Sequence, residues 1–151
     1  MAAFEIHRIL CPTDFSPSAD VAVDMAAGLA ERFGAELHLA HVWSPPTVVA
    51  FDGAIIPSAD QLVAYTESLQ QALDATVKRV AGHGRGPKKH LVQGIAWREI
   101  AELAATEKCD LIVMGTHGRS GVSHFLIGSV AERVVRSAPV PVLVVPTPKK
   151  K

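Results

Sequence analysis

Short apolar segments alternate along the chain with segments of helical periodicity, and this alternation constrains the fold more than any other feature. The fourth and fifth apolar segments, residues 111–114 and 140–145, are apolar at nearly every position, which is typical of strands buried on both faces. The three earlier segments are residues 6–11, 36–42 and 89–92. The resulting β-α-β-α-β-α-β-α-β order predicts an α/β fold with a mostly parallel sheet and helices on both faces.

Four helices are predicted between these strands, because apolar residues recur there at spacings of three and four. Ser16 and Pro17 fit the N-cap and first position of the first helix, and Gly34 is placed to end it. The apolar stripe of that helix contains Ala22, Met25, Ala26, Leu29 and Phe33, and the later stripes fall within residues 62–80, 100–104 and 130–135. A strand order of 3-2-1-4-5 would make strands 1 and 4 neighbours at the point where the crossover direction reverses, and ligands of open α/β sheets bind there.

Length, charge and cysteine content narrow the class of protein. The 151 residues fit one domain, residues 1–151, and 15 basic residues balance 15 acidic ones, which argues against a nucleic-acid coat and a polybasic membrane binder. No segment reaches the roughly 18 uncharged apolar residues of a membrane span, and the first residues lack a secretory-signal pattern. Cys11 and Cys109 predict buried, reduced thiols in a cytoplasmic protein, and the basic residues 147–151 are expected to be a disordered tail.

A glycine-rich loop follows the fourth strand, from Gly115 to Gly128, and enters the fourth helix. Glycines there let backbone N–H groups approach an anion, and the free N–H groups at the start of the helix favour phosphate. The segment from Ser129 to Glu132 also fits a capping box, which would satisfy the helix start with no ligand. The loop is neither a Walker A loop nor a dinucleotide fingerprint. Spacing alone therefore leaves phosphate binding and a well-capped linker both open.

A second polar cluster, Pro12-Thr13-Asp14, follows the first strand. The Asp14 carboxylate can accept hydrogen bonds from ribose hydroxyls or an adenine amino group, or it can cap the following turn. With the strand order above, this cluster and the glycine loop flank one crevice. A nucleotide would then lie with its base and ribose near Asp14 and its phosphates on the glycine loop, and Trp43, after the second strand, is expected near the base.

Together these motifs resemble the universal stress protein family. The pattern G-x2-G-x9-G-(S/T) is met by Gly115, Gly118, Gly128 and Ser129, and I-L-C-P-T-D-F-S, D-L-I-V-M-G-T-H-G-R and S-A-P-V-P-V-L-V-V-P accompany it over essentially the whole chain. The resemblance implies a Rossmann-like fold, similar to that of adenine nucleotide alpha hydrolases, in a homodimeric cytosolic stress-response protein that binds ATP, AMP or ADP.

The resemblance also implies a set of site residues. The base and ribose would lie against Pro12, Thr13 and Asp14, with adenine held by the backbone of Val42. The floor of the crevice would be Met114 and Gly115, and the phosphates would be surrounded by Gly118, Arg119, Gly128, Ser129 and Val130.

We expect the protein to bind and sense a nucleotide rather than to catalyse a reaction of it. Phosphoryl transfer needs electrostatic clamps, and Asp14 is the one acid and Arg119 the one well-placed cation of the predicted crevice. A nucleotide could bring its own Mg²⁺, held by phosphate oxygens and water. The alternative of a weak ATPase or nucleotidyl-transfer enzyme on the same fold stays open. No metal site in the protein itself is predicted, since His38 and His41 are three apart on a strand and face opposite sides.

The last strand, from Val140 to Val145, has no charge and contains Pro141, which is tolerated on an edge strand. An apolar edge is an aggregation hazard unless it is covered, and a two-fold partner pairing through the same strand would cover it. We therefore expect a homodimer, and the alternative is a monomer shielded by the lysine-rich tail. A signal would leave such a protein through the dimer or through an unidentified protein partner.

Overall fold

The computed structural model describes residues 3–50, 52–82, 85–117 and 127–148. Within these ranges the main sheet contains β1 (Arg8–Pro12), β2 (Glu36–Trp43), β5 (Lys88–Gln93), β6 (Leu111–Gly115) and β7 (Val142–Val145). A separate antiparallel hairpin is formed by β3 (Val48–Ala50) and β4 (Gly53–Ile55). The helices are α1 (Pro17–Phe33), α2 (Ala59–Val80), α3 (Ala96–Thr106) and α4 (Ser129–Ser137).

The five-stranded sheet has the order β5-β2-β1-β6-β7, and all four strand pairs are parallel. This confirms the predicted order 3-2-1-4-5, counting only the strands of this sheet. Because β1 and β6 are neighbours, the crossover direction reverses between them, and their carboxyl ends open onto the same edge.

Alternate residues of the strands enter two hydrophobic clusters, one on each face of the sheet. In β2, Leu39 belongs to the cluster that contains residues of α1 and α2, and Ala40 belongs to the cluster that contains residues of α3 and α4. In β1, Cys11 belongs to the first of these clusters and Leu10 belongs to the second. This two-sided burial explains why β6 is apolar along its length, and it confirms the prediction of helices on both faces.

Helix α1 begins and ends where the sequence predicts. The Ser16 hydroxyl accepts a hydrogen bond from the Ala19 N–H, Pro17 is the first helical residue, and Gly34 ends the helix in the left-handed conformation with φ 64°. The predicted apolar stripe was partly wrong, because Met25 is 46% exposed and Phe33 is 50% exposed. The buried face is instead made of small residues, Ala22, Val23, Ala26, Ala27 and Ala30. Small side chains let the helix backbone lie close to the sheet.

The two glycines of this helix region give a matched test of backbone conformation. Gly34→Ala is expected to lower the free energy of unfolding by about 1 kcal/mol, because an L-residue is strained at φ 64° although a Cβ would meet no atom within 4 Å. Gly28→Ala, in the helix interior and also free of contacts, is expected to raise it by roughly 0.5–1 kcal/mol. Urea unfolding of both variants measures these changes. If both substitutions raised the free energy of unfolding, or both lowered it, this explanation would be wrong.

The last strand is shorter than predicted. Pro141 lies just before β7, and its carbonyl accepts a hydrogen bond from the Ile112 N–H at 3.0 Å. Because Pro141 precedes β7, its missing N–H does not remove a hydrogen bond from that strand. The hairpin of β3 and β4 was not predicted, since none of the five apolar segments includes residues 48–55.

Both cysteines are free and buried, as predicted. Burial raises the pKa of the Cys11 thiol far above its usual range and raises the pKa of the Cys109 thiol to about 11. No helix in the described part of the chain is both long and apolar enough to cross a membrane. Of the predicted tail, residues 149–151 lie outside the described residues.

Candidate functional site: a crevice at the switch point of the sheet

A cavity of about 380 Å³ opens at the carboxyl ends of β1, β2 and β6, beside the first turn of α4. This is the switch point, where open α/β sheets bind ligands, and the volume is typical of small-molecule sites. The described residues that line it are Pro12, Thr13, Asp14, Ala19, Val42, Ala96, Ile100, Met114, Gly115, Thr116, His117, Gly128, Ser129, Val130 and Ala131.

The turn after β1 is fixed by side-chain hydrogen bonds. Asp14 Oδ1 accepts the Ser16 N–H at 3.0 Å, and Thr13 Oγ1 accepts the Phe15 N–H at 3.0 Å. Asp14 therefore does cap the turn, which was one of the two alternatives for this residue. A carboxylate has about four lone-pair positions, so a carboxylate that caps a turn can also accept from a ligand.

Phe15 is held in the left-handed region with φ 64°, which is an outlier for a bulky side chain. Its ring packs on that of His41, with 4.5 Å between the centroids. His41 Nδ1 lies 2.7 Å from the Thr13 carbonyl oxygen and must be the donor, because a carbonyl only accepts. The buried His41 side chain thus holds the turn that presents Thr13 and Asp14 to the cavity. Strained backbone supported in this way is common at binding sites.

The backbone of Val42 faces the gap left where β1 ends. The Thr13 N–H donates to the Ala40 carbonyl at 2.8 Å, so the polar backbone groups of Ala40 point toward β1. Val42 lies two residues further along β2, and its N–H and C=O therefore point to the same side. Pro12 is the last residue of β1 and pairs with Ala40, which is two residues before Val42. These backbone groups border the cavity and suit the edge of a planar base.

The end of β6 lies against the start of α1. A Cβ added at Gly115 would lie 2.8 Å from Ser18 Oγ and 3.0 Å from the Ser18 carbonyl oxygen. Beyond the strand, the Thr116 carbonyl accepts the Gly128 N–H at 2.6 Å, and the Thr116 N–H donates to the Val145 carbonyl at 3.2 Å. These bonds hold the start of α4 beside the carboxyl end of β6. The cavity floor is thus built by close backbone approach.

The first turn of α4 is not closed by a capping box, and that prediction was wrong. The N-cap is Gly128, in an extended conformation, and Ser129 is already the first helical residue. No side chain caps this helix in the described part of the chain. The N–H groups of Ser129, Val130 and Ala131 precede the first intrahelical bond, from the Glu132 N–H to the Gly128 carbonyl, and all three residues line the cavity. The helix start can therefore accept an anion.

The structure brings the described members of the predicted site together. Pro12, Thr13, Asp14, Val42, Met114, Gly115, Gly128, Ser129 and Val130 all line the one cavity. Gly118 and Arg119 lie outside the described residues. The cavity lining also contains residues that were not predicted to line it: Ala19, Ala96, Ile100, Thr116 and Ala131. Ile100 was assigned only to a helix stripe. Small residues at the start of α3 gave no chemical signal, and only the packing of α3 beside the crevice reveals them.

Trp43 does not lie where the sequence analysis expected it. Its ring packs edge-on against Tyr65 of α2, with 5.8 Å between the centroids, and it is absent from the described lining of the cavity. Successive strand residues point to opposite faces, so Trp43 faces away from the side of Val42. Direct binding measurements are therefore preferable to tryptophan fluorescence.

An open parallel sheet of this order, with a cavity at its switch point, defines a Rossmann-like α/β domain. The chain belongs to the universal stress protein family, whose family model matches residues 5–146. Universal stress protein MJ0531 of Methanocaldococcus jannaschii is 37% identical over 145 residues, which cover 95% of this chain and 84% of that protein.

Solved structures show the same fold. Universal stress protein UspA from Lactobacillus plantarum superposes with a TM-score of 0.76 at 26% identity, covering 93% of this chain and 98% of that one. A universal stress protein crystallised in complex with cAMP superposes with a TM-score of 0.73 at 28% identity, covering 95% of this chain and 99% of that one.

Proposed function

We propose that the crevice binds an adenine nucleotide, ATP or its di- or monophosphate, and that the protein acts as a nucleotide-dependent regulator in a stress response. The observation that carries this proposal is the single cavity shared by the ends of β1, β2 and β6 and the uncapped start of α4. The relative crystallised with cAMP supports an adenine nucleotide as the ligand class.

The base and ribose fit the β1–β2 side of the cavity. The backbone groups of Val42 can recognise the adenine edge, and Ile100 and Met114 offer apolar surface to its ring. Asp14 can accept hydrogen bonds from ribose hydroxyls while its Oδ1 keeps the turn in place.

The phosphates fit the α4 side of the cavity. Three N–H groups, of Ser129, Val130 and Ala131, and the positive end of the helix dipole favour negative charge there. Gly118 and Arg119 would add a further backbone donor and a cation, as the family resemblance implies. Mg²⁺ would be carried by the phosphate oxygens and water rather than by a protein cage.

Binding rather than turnover is proposed, because the cavity is poor in catalytic groups. Among its described lining residues Asp14 is the one carboxylate, and there is no lysine or arginine. Phosphoryl transfer relies on such clamps, so any hydrolysis would be slow. We place the protein in the cytoplasm, where two reduced, buried thiols are expected.

A homodimer through the sheet edge at β7 completes the proposal. β7 pairs with β6 on one side, and no other strand of the described chain pairs with its second side. Leu143 is 40% exposed on this edge strand. A partner strand would cover this apolar edge and carry a nucleotide-dependent signal to the second chain.

Filling the cavity tests the ligand assignment. Ala96→Phe places a ring in the cavity wall and is expected to weaken ATP, ADP or AMP binding at least about tenfold, as measured by isothermal titration calorimetry. Ala105→Phe is the matched control, because Ala105 lies on the same helix and is exposed. The control variant should bind as the parent protein does.

Two outcomes of this experiment contradict the proposal. The first is equal nucleotide affinity in the parent and in folded Ala96→Phe, which would move the site elsewhere. The second is no adenine-nucleotide binding by the parent protein at millimolar concentration. Preference for GTP over ATP would instead overturn the role of Val42 in base selection.

A further inference from the structure

A second cluster of polar side chains lies at the opposite end of the sheet from the crevice. It consists of His38 on β2, His90 on β5 and Glu107, which directly follows α3. His38 precedes Val42 by four residues, about 13 Å along the strand, so the cluster is separate from the cavity. This inference does not depend on nucleotide binding.

The potential ligand atoms of this cluster converge. His38 Nδ1 lies 3.0 Å from His90 Nε2 and 3.8 Å from Glu107 Oε2. One potential ligand atom from each of the three residues lies within 4.8 Å of the other two. A tetrahedral zinc ion with ligands at about 2.0–2.1 Å separates them by about 3.3 Å, which lies between the 3.0 Å and 3.8 Å separations from His38 Nδ1.

Glu36 supplies the outer contact that is typical of a metal-binding histidine. His38 Nε2 lies 2.8 Å from Glu36 Oε1, and the carboxylate accepts, so the Nε2–H of His38 is the donor. In the neutral ring this leaves a lone pair on Nδ1, which accepts the Nε2–H of His90 at 3.0 Å. A metal ion would take the place of that proton, and His90 would then carry its proton on Nδ1. Lys88 Nζ, 3.0 Å from Glu36 Oε1, balances the charge of Glu36. Carboxylate–histidine pairs of this kind fix the tautomer and the orientation of a metal ligand.

The cluster is partly buried, so it is a preformed arrangement rather than a chance group of surface side chains. The His38 side chain is fully buried, and the Glu107 side chain is 32% exposed. The His38 and His90 rings are nearly parallel, with 7° between their planes and 5.1 Å between their centroids. A fully buried ligand is thus combined with a carboxylate that solvent can reach.

We propose that His38, His90 and Glu107 bind a divalent transition metal ion of the zinc type, with water as fourth ligand and Glu36 orienting His38. Two imidazoles and one carboxylate suit zinc better than Mg²⁺, which prefers an all-oxygen shell. The ion would link β2, the edge strand β5 and the end of α3. This departs from the sequence-based expectation of no metal site, which considered only spacing along one strand.

The test uses the full chain, purified without a histidine tag and in the absence of nucleotide. Equilibrium dialysis against Zn²⁺ is expected to give one ion per chain, and Co²⁺ is expected to give the visible absorption of tetrahedral coordination. His90→Gln and Glu107→Gln should lose that absorption while keeping the far-ultraviolet circular dichroism of the parent. Glu36→Gln should weaken zinc affinity by about 10–100-fold.

His7→Gln is the matched control, because the exposed His7 ring lies 3.0 Å from Glu5. Only the backbone carbonyl of His7 contacts the site, by accepting the Glu36 N–H, and the substitution keeps it. This variant should bind zinc as the parent does. Absence of stoichiometric zinc in the parent protein would overturn the proposal. Unchanged affinity in folded His90→Gln or Glu107→Gln would do the same, since the ion would then be bound elsewhere.

Discussion

Gly115→Val is expected to lower the free energy of unfolding by roughly 2–3 kcal/mol, because the close approach of β6 and α1 leaves no room for a side chain. The added Cβ alone would lie 3.0 Å from the Ser18 carbonyl oxygen and 3.2 Å from its carbonyl carbon. These are backbone atoms at the start of α1, so relief requires movement of the helix itself. Urea unfolding measures the loss.

Two controls isolate this contact. Gly86→Val, at an exposed glycine where a Cβ would meet nothing within 4 Å, is expected to change stability by less than about 1 kcal/mol. Ser18→Ala removes the closest atom, Ser18 Oγ, at 2.8 Å. This hydroxyl is buried and has no hydrogen-bond partner among the described residues, so its removal alone should cost little.

The double variant Ser18→Ala with Gly115→Ala should lose less free energy of unfolding than the sum of the losses in the two single variants. A double-mutant cycle measures this difference. If the two losses were strictly additive, residues 18 and 115 would not interact sterically. Nucleotide affinity should fall with Gly115→Val as well, since Gly115 and Ala19 of the displaced helix both line the cavity.

Leu143→Lys is expected to convert the proposed homodimer into a monomer, with the mass falling to the 16.0 kDa of one chain in light scattering after size-exclusion chromatography. The Ile112 N–H donates to the Pro141 carbonyl, so Pro141 and Leu143 direct their backbone groups toward β6. Val142 and Val144 direct theirs to the open edge, where a partner strand would pair. A charge at Leu143 would be desolvated by that partner.

The matched control is Val63→Lys, at a residue of α2 that is 55% exposed. It should leave the dimer mass unchanged. A parent protein that is monomeric at micromolar concentration would contradict the proposed interface. A Leu143→Lys variant that stays dimeric would move the interface to another surface.

The parts of the fold that could be predicted from sequence are those decided by local chemistry. Ser16, Pro17 and Gly34 specify the ends of α1 through hydrogen bonding and backbone conformation, and the structure confirms all three. The uniformly apolar β6 is explained by burial on both faces. The crevice followed from strand order, which the alternation of elements limits strongly.

The missed features depend on exact dihedral angles or on tertiary packing. The capping box at Ser129 failed by one residue, because Gly128 takes the extended conformation of an N-cap. Met25 and Phe33 fit a helical stripe, yet the alanine face of α1 packs on the sheet instead. His38 and His90 are 52 residues apart, and only the pairing of β2 with β5 brings them together.

The burial of both thiols makes this protein a convenient background for site-specific labelling. Cys11 and Cys109 are buried, and their raised pKa values keep them protonated at neutral pH, whereas thiol reagents attack the thiolate. A cysteine introduced at an exposed position such as Ser44 would therefore react selectively in the folded protein. The native cysteines would not need to be replaced, so a fluorophore at that position could test the proposed nucleotide binding and the proposed dimer.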